Sequence, residues 1–152
     1  MQVWRLVKTK YAASAFDGEG ARLYGARWNS PGIRVAYAAS NSALAVLEVL
    51  VHLGDVRVLP SYSLITASVP DAHVIALDVS TLPDGWENYP VPPEVQGIGD
   101  AWIRSGGSVA LRVPSVVVAG GHNLLLNPLH PSFGEFSIDS VEPFKFDPRL
   151  VR

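Results

Sequence analysis

One stretch constrains this chain more than any other, the run Ala43-Leu44-Ala45-Val46-Leu47-Glu48-Val49-Leu50-Val51. Its length and flanks predict a helix from about Asn41 to Leu53. Ser40 or Asn41 can cap the first turn, and Gly54 can end it. A helix apolar on nearly every side calls for burial, so other elements must be built around it. Its one carboxylate, Glu48, is then expected to be partly desolvated, and an unpaired buried carboxylate is costly. At helical spacing Asn41, Ala45, Glu48 and His52 fall along one side, a polar stripe able to line a cleft. Two readings of Glu48 stay open. It is either a functional carboxylate or a structural one, paired with an arginine or capping a neighbouring backbone.

The rest of the chain supplies the material to bury such a helix. Of 152 residues, 48% are apolar and only 17% charged, which suits one compact domain over residues 1–152. Glycine (13) and proline (12) punctuate the sequence throughout, so elements should be short and loops frequent. Val3–Val7 reads as an edge strand, Asp17–Gly20 as a turn and Val35–Ala38 as a short buried strand. Ser61–Val69 and Val74–Leu77 read as strands, and the proline-rich stretch Leu82–Pro93 as a loop. Glu94–Arg104 reads as a second helix, weakened by Gly97 and Gly99. Ser108–Arg112, Ser115–Val118 and Phe136–Phe146 complete the strand candidates. The fold class this implies is α+β, with a substantial sheet and about two helices.

Several function classes are disfavoured. The formal net charge of −2 gives no basic footprint for nucleic acid. There is no cysteine, hence no disulfide framework, thiolate nucleophile or cysteine-ligated zinc. His52, His73, His122 and His130 match no metal-ligand spacing, so no metal is expected. No GxGxxG, P-loop or Gly-x-Ser-x-Gly motif occurs. No apolar run reaches about 18 residues, so no membrane helix is expected. The first residues read as the start of the fold rather than a signal peptide, and the expected compartment is the cytoplasm.

Beyond Glu48, the stretch Gly25-Ala26-Arg27-Trp28-Asn29-Ser30-Pro31-Gly32 sets a guanidinium among aromatic, amide and glycine neighbours. Arg27 there suits bidentate capture of a phosphate or carboxylate, or it pairs with a core carboxylate such as Glu48. Tyr37 can stack on a planar ligand or belong to the core. Ser115, Asn123 and Asn127 can equally serve turn chemistry.

These segments together resemble the RES domain, named for its arginine, glutamate and serine. The resemblance runs through Gly25–Gly32 with Val35-Ala36-Tyr37, and then through Ser42–His52. It continues in Gln96-Gly97-Ile98-Gly99-Asp100-Ala101-Trp102 and Arg112-Val113-Pro114-Ser115-Val116-Val117-Val118, and ends in Asn123–Pro131. The chain departs from its relatives at Ala119-Gly120-Gly121-His122, where they commonly carry a proline and an acidic residue.

The resemblance implies an ADP-ribosyltransferase-like fold with a mixed or antiparallel sheet, and an NAD⁺ site. It implies a toxin that degrades NAD⁺ by hydrolysis or phosphorolysis, or alternatively a mono-ADP-ribosyltransferase acting on a protein. A nucleotide-binding module without catalysis is the reading from another class. The family's arginine, tyrosine, glutamate and serine fall on Arg27, Tyr37, Glu48 and Ser115. Arg27, Trp28, Asn29, Tyr37 and Asn123 are the expected NAD⁺-binding set. The implied partner is an antitoxin of the Xre class that covers the cleft, and self-association is also implied.

Overall fold

The computed structural model describes residues 1–54 and 60–151. Among them, seven strands form one mixed sheet. In chain order these are β1 (Gln2–Lys8), β2 (Ala36–Ala39), β3 (Tyr62–Ser68), β4 (Val74–Ala76), β5 (Ala110–Pro114), β6 (His122–Leu126) and β7 (Ser137–Phe144). Their spatial order is β4-β5-β6-β2-β1-β3-β7. Only the β4–β5 pair is parallel; the others run antiparallel. Three α-helices accompany the sheet: α1 (Glu19–Tyr24), α2 (Ser42–Leu50) and α3 (Pro93–Ser105). The α+β class and the mixed sheet implied by the resemblance are therefore the ones observed.

The sheet carries core on both faces. Val3, Ala36, Ala38, Ile65, Ala67, Leu124 and Leu126 pack on one side with Phe16, beside the Phe133 and Phe136 rings. Leu111, Val113 and Leu125 pack on the other side with Trp28, Val95 and Trp102. Side chains alternate along a strand, so the consecutive, fully buried Leu124, Leu125 and Leu126 mark a strand covered on both faces. With no alternation to read, the leucine run gives no strand signal in the sequence.

Four further expectations are corrected. Val3–Val7 lies in an interior strand, not an edge. β1 matches β3 over its whole length, from Gln2↔Ser68 to Lys8↔Tyr62, and also touches β2 at Trp4↔Ala39. Ser115–Val118 is a turn between β5 and β6 rather than a strand. The Asp17–Gly20 turn leads directly into α1, which starts after Gly18 in a left-handed conformation (φ 72°). Finally, α2 is only half buried. It lies across one sheet face, so Leu44 and Ala45 are covered while Ala43, Leu47 and Val51, four residues apart, form an outward stripe. Its N-terminus is capped as expected, with Asn41 Oδ1 accepting from the Leu44 N–H at 2.8 Å.

The glycines that weakened the second-helix reading have a packing reason at one position. A Cβ on Gly99 would meet the Trp28 carbonyl oxygen at 1.8 Å, so only glycine lets α3 approach the Gly25–Gly32 segment this closely. The same seam is closed by Asp100, whose carboxylate accepts from the Ser30 N–H at 2.9 Å and the Ser30 hydroxyl at 2.6 Å. Gly99→Ala is expected to lower stability by about 1–3 kcal/mol or more, because backbone must move to admit the methyl. Gly97→Ala, with open space around it, should be neutral or stabilising. Thermal melts of the two variants check this contrast.

Candidate active site

The site grows from the seam between β1 and β2. Their ladder is a single residue pair, Trp4↔Ala39, so the two strands splay and leave the Tyr37 carbonyl without a strand partner. Arg5 supplies the missing donor, with Nη1 2.8 Å from that carbonyl. A cleft of about 1390 Å³ follows the seam, with Trp4–Leu6 on one strand and Tyr37–Ala39 on the other among its lining residues. Arg27, Glu48, His52 and Asn123 line it too. That volume exceeds the usual range for a small-molecule pocket, about 300–1,000 Å³, and suits a dinucleotide.

Glu48 projects from α2 into this cleft and is held from one side. The Ser115 hydroxyl donates to Glu48 Oε1 at 2.9 Å, and Asn123 Nδ2 donates to the same oxygen at 2.7 Å. Ser115 is itself fixed by the turn it begins, accepting from the Val117 and Val118 N–H groups at 3.0 and 3.3 Å. Among the described residues Glu48 has no ion-pair partner and Oε2 has no hydrogen-bond donor. The expected polar stripe is present in Ala45, Glu48 and His52, while Asn41 is used as the helix cap.

Arg27 does not pair with Glu48. One of its nitrogens, Nη1, donates to the Trp86 and Asn88 carbonyls at 2.7 and 3.2 Å, tying two segments of the cleft wall together. Partial burial pulls the guanidinium below its ordinary pKa, and the nearby charges of Glu48 and Glu87 act in the opposite direction. Arg5 lies deeper. It stays partly accessible through the cleft but is ringed by protein, and burial pulls it down to about 10 against the opposing charge of Asp17. It also lies 5.9 Å from the centre of the Phe16 ring.

Tyr37 lines the cleft while its hydroxyl is locked in the wall. The hydroxyl donates to Asn29 Oδ1 at 2.7 Å and accepts from the Trp28 N–H at 3.2 Å. Burial raises the phenol well above its ordinary pKa of 10.0, which suits the ring as a surface and not as a proton source.

Arg27, Tyr37, Glu48 and Asn123 thus meet around one cleft. One of the expected ligand-binding side chains, Asn29, does not. Asn29 is fully buried, and its Nδ2 is spent on the carbonyls of Ala21, Ser30 and Ile33. Its place near the site is to hold Tyr37. Trp28 is among the residues lining the cleft, but its ring packs in the core against Trp86, with centroids 6.0 Å apart. Gly99 of α3 lies against the Trp28 carbonyl and holds this segment close to the helix. Ser115 is buried behind Glu48 and does not line the cleft.

Gln96 and Arg5 are among the lining residues that escaped the sequence reading. Gln96 donates to the Ala26 carbonyl at 3.0 Å and closes the cleft from α3. Arg5 carried a usable signal. It shares the inward parity of Val3 and Val7 on β1, and a charge at an inward strand position needs a reason.

Tyr37→Phe is expected to cost about 1–3 kcal/mol, since Asn29 Oδ1 and the Trp28 N–H are both left without partners. The sign with pH follows from the raised phenol pKa. The unfolded phenol ionises above 10.0 while the folded one stays protonated, so wild type loses stability as pH rises through that value. Denaturant melts of both proteins between neutral pH and pH values above 10 should show the gap narrowing.

Comparison with known proteins places the whole architecture. The RES domain family model matches residues 2–147. The chain is 41% identical over 152 residues to "Toxin Res" of Yersinia enterocolitica serotype O:8 / biotype 1B, covering 99% of each. It is 36% identical over 154 residues to the "Prs ADP-ribosylating toxin" of Sphingobium sp. (strain YBL2), covering 98% of this chain and 96% of that one. Among solved structures, a chain of the M. tuberculosis MbcT–MbcA toxin–antitoxin complex shares the fold with a TM-score of 0.77. Its sequence identity is 21%, over 95% of this chain and 84% of that one. By sequence over nearly its full length, and by fold, this chain belongs to the RES-domain family.

Proposed function

We propose that this chain is the toxin of a toxin–antitoxin pair and that it consumes NAD⁺ by breaking the bond between nicotinamide and ribose. The observation that carries this reading is the state of Glu48. One oxygen is pinned by Ser115 and Asn123, and among the described residues the other has no donor, on a side chain that lines a cleft with room for a dinucleotide. The relatives named as toxins supply the biological setting.

The chemistry asks for little else. When the glycosidic bond breaks, its electron pair goes to the nicotinamide nitrogen, which leaves neutral and needs no acid. The ribosyl carbon becomes oxocarbenium-like, so a fixed negative charge nearby stabilises the transition state more than the ground state. Glu48 Oε2 supplies that charge, through the ribose hydroxyls or by orienting the attacking water or phosphate. Arg27 and Arg5 offer positive charge to the pyrophosphate, and the Tyr37 ring offers a face to the nicotinamide. Ser115 acts through Glu48. Its proton is committed to the carboxylate and its oxygen accepts from two backbone N–H groups, so it is not a nucleophile.

A second reading keeps the same site and changes the acceptor to a protein, as the name of the Sphingobium relative states for that toxin. Incubating the pure protein with NAD⁺, with and without phosphate and cell extract, separates the two. Free nicotinamide with ADP-ribose or its phosphorylated form marks hydrolysis or phosphorolysis, and labelled protein marks transfer. NAD⁺ left intact under all conditions would sink both. An antitoxin of the Xre class covering the cleft is the partner this reading calls for. Co-expression that fails to restore growth despite complex formation would count against it.

Glu48→Gln should abolish toxicity without unfolding the protein. Glutamine keeps the shape, and removing a half-buried charge leaves the melting temperature unchanged or higher. Turnover is expected to fall by about 10²-fold or more, with NAD⁺ binding much less affected. Turnover measured beside the melting temperature checks this. A normally melting variant that still consumes NAD⁺ at the wild-type rate removes Glu48 from the mechanism.

A further inference from the structure

The cleft has a feature that the chemistry at Glu48 does not use. Its lining includes two tyrosines that are almost bare to solvent, Tyr24 at 83% and Tyr89 at 87% exposure. Each stands at the end of one of the two segments that Arg27 ties together. Tyr24 closes α1 and is followed by Gly25, whose positive φ of 68° turns the chain into Ala26 and Arg27. Tyr89 directly follows Asn88, whose carbonyl accepts from Arg27 Nη1 at 3.2 Å. Arg27 in turn lies near enough to Glu48 for that carboxylate's charge to act on it. The lining therefore passes from a carboxylate, through an anchored guanidinium, to an exposed aromatic rim.

NAD⁺ has its chemistry in the same order: the nicotinamide riboside, the pyrophosphate, then adenosine. With the reacting ribose at Glu48 and the pyrophosphate at Arg27, the adenine falls at the rim. We infer that Tyr24 and Tyr89 take the adenine ring by stacking, so that the site selects an adenine dinucleotide over a mononucleotide. Purine and phenol faces are both planar and weakly solvated, and stacking of this kind makes a clear contribution to binding for each base held. Neither phenol hydroxyl makes a hydrogen bond among the described residues, so each ring is free to turn onto a ligand. The inference rests on the NAD⁺ reading of the cleft.

Titration calorimetry with ADP-ribose tests it without turnover. Wild type, Tyr24→Ala, Tyr89→Ala, the double alanine variant and the double phenylalanine variant are compared. Both tyrosines are exposed, so all should melt like wild type. Each alanine is expected to weaken ADP-ribose about tenfold, and the pair about a hundredfold. The double phenylalanine variant, which keeps both rings, should stay within about threefold of wild type. A double alanine variant that binds ADP-ribose as wild type does overturns the assignment, and losing the antitoxin instead would make the rim a protein-docking surface. Phenylalanines as weak as alanines would replace stacking by hydroxyl contacts, also overturning it. Wild type failing to bind either ADP-ribose or NAD⁺ would instead remove the nucleotide reading beneath it.

Discussion

The site depends on one carboxylate oxygen. Glu48 Oε1 receives the Ser115 hydroxyl and the Asn123 amide, and these two donors come from the two ends of the β5–β6 connection. The arrangement has a cost that shows in the structure: among the described residues, the buried Asn123 Oδ1 has no hydrogen-bond partner. Turning the amide over would pair nothing better, since it would aim the carbonyl at the carboxylate. An unpaired buried acceptor costs about 1–3 kcal/mol, similar to what a hydrogen bond to a charged group contributes. The fold accepts the loss on one side of the amide to keep the negative charge of Glu48 fixed on the other.

The second constraint is the incomplete seam of the sheet. A fully laddered β1–β2 pair would close the cleft with backbone. One bridging pair holds the strands in register, and Arg5 replaces a missing ladder bond with a side-chain one. A long cation at this point does what a strand residue could not. It satisfies the Tyr37 carbonyl from a distance and leaves space between the strands. The desolvation it suffers is the counterpart of the opening, and an anionic ligand entering the cleft would relieve it.

How much of this the sequence discloses depends on whether a residue's task is local. The helix around Glu48 is legible because its run of apolar residues and its Asn41 cap lie within a few residues. Glu48, Arg27 and Tyr37 are singled out by type and neighbours, and the fold brings them to one cleft. The hidden parts are those set by partners distant in sequence. Asn29 looks like a ligand residue until its amide is seen bonded to three backbone carbonyls. Gly99 looks like a helix breaker until the Trp28 carbonyl is seen against it. Leu124–Leu126 looks like no strand by alternation because both faces are covered. Arg5 is assigned no role until the splay of β1 from β2 is known.

The carboxylate and its two donors are separated by 67 and 75 residues along the chain. β1, β2 and α2 all precede the residues that hold Glu48 in place, and β6 must insert between β5 and β2 to bring Asn123 to it. A nascent chain emerging from the ribosome therefore carries its acidic group long before it carries the means to aim it. The carboxylate is oriented only after Ser115 and Asn123 have both been made. The order of the chain thus separates the carboxylate from the donors that orient it, and the site exists only once both parts of the sheet have come together.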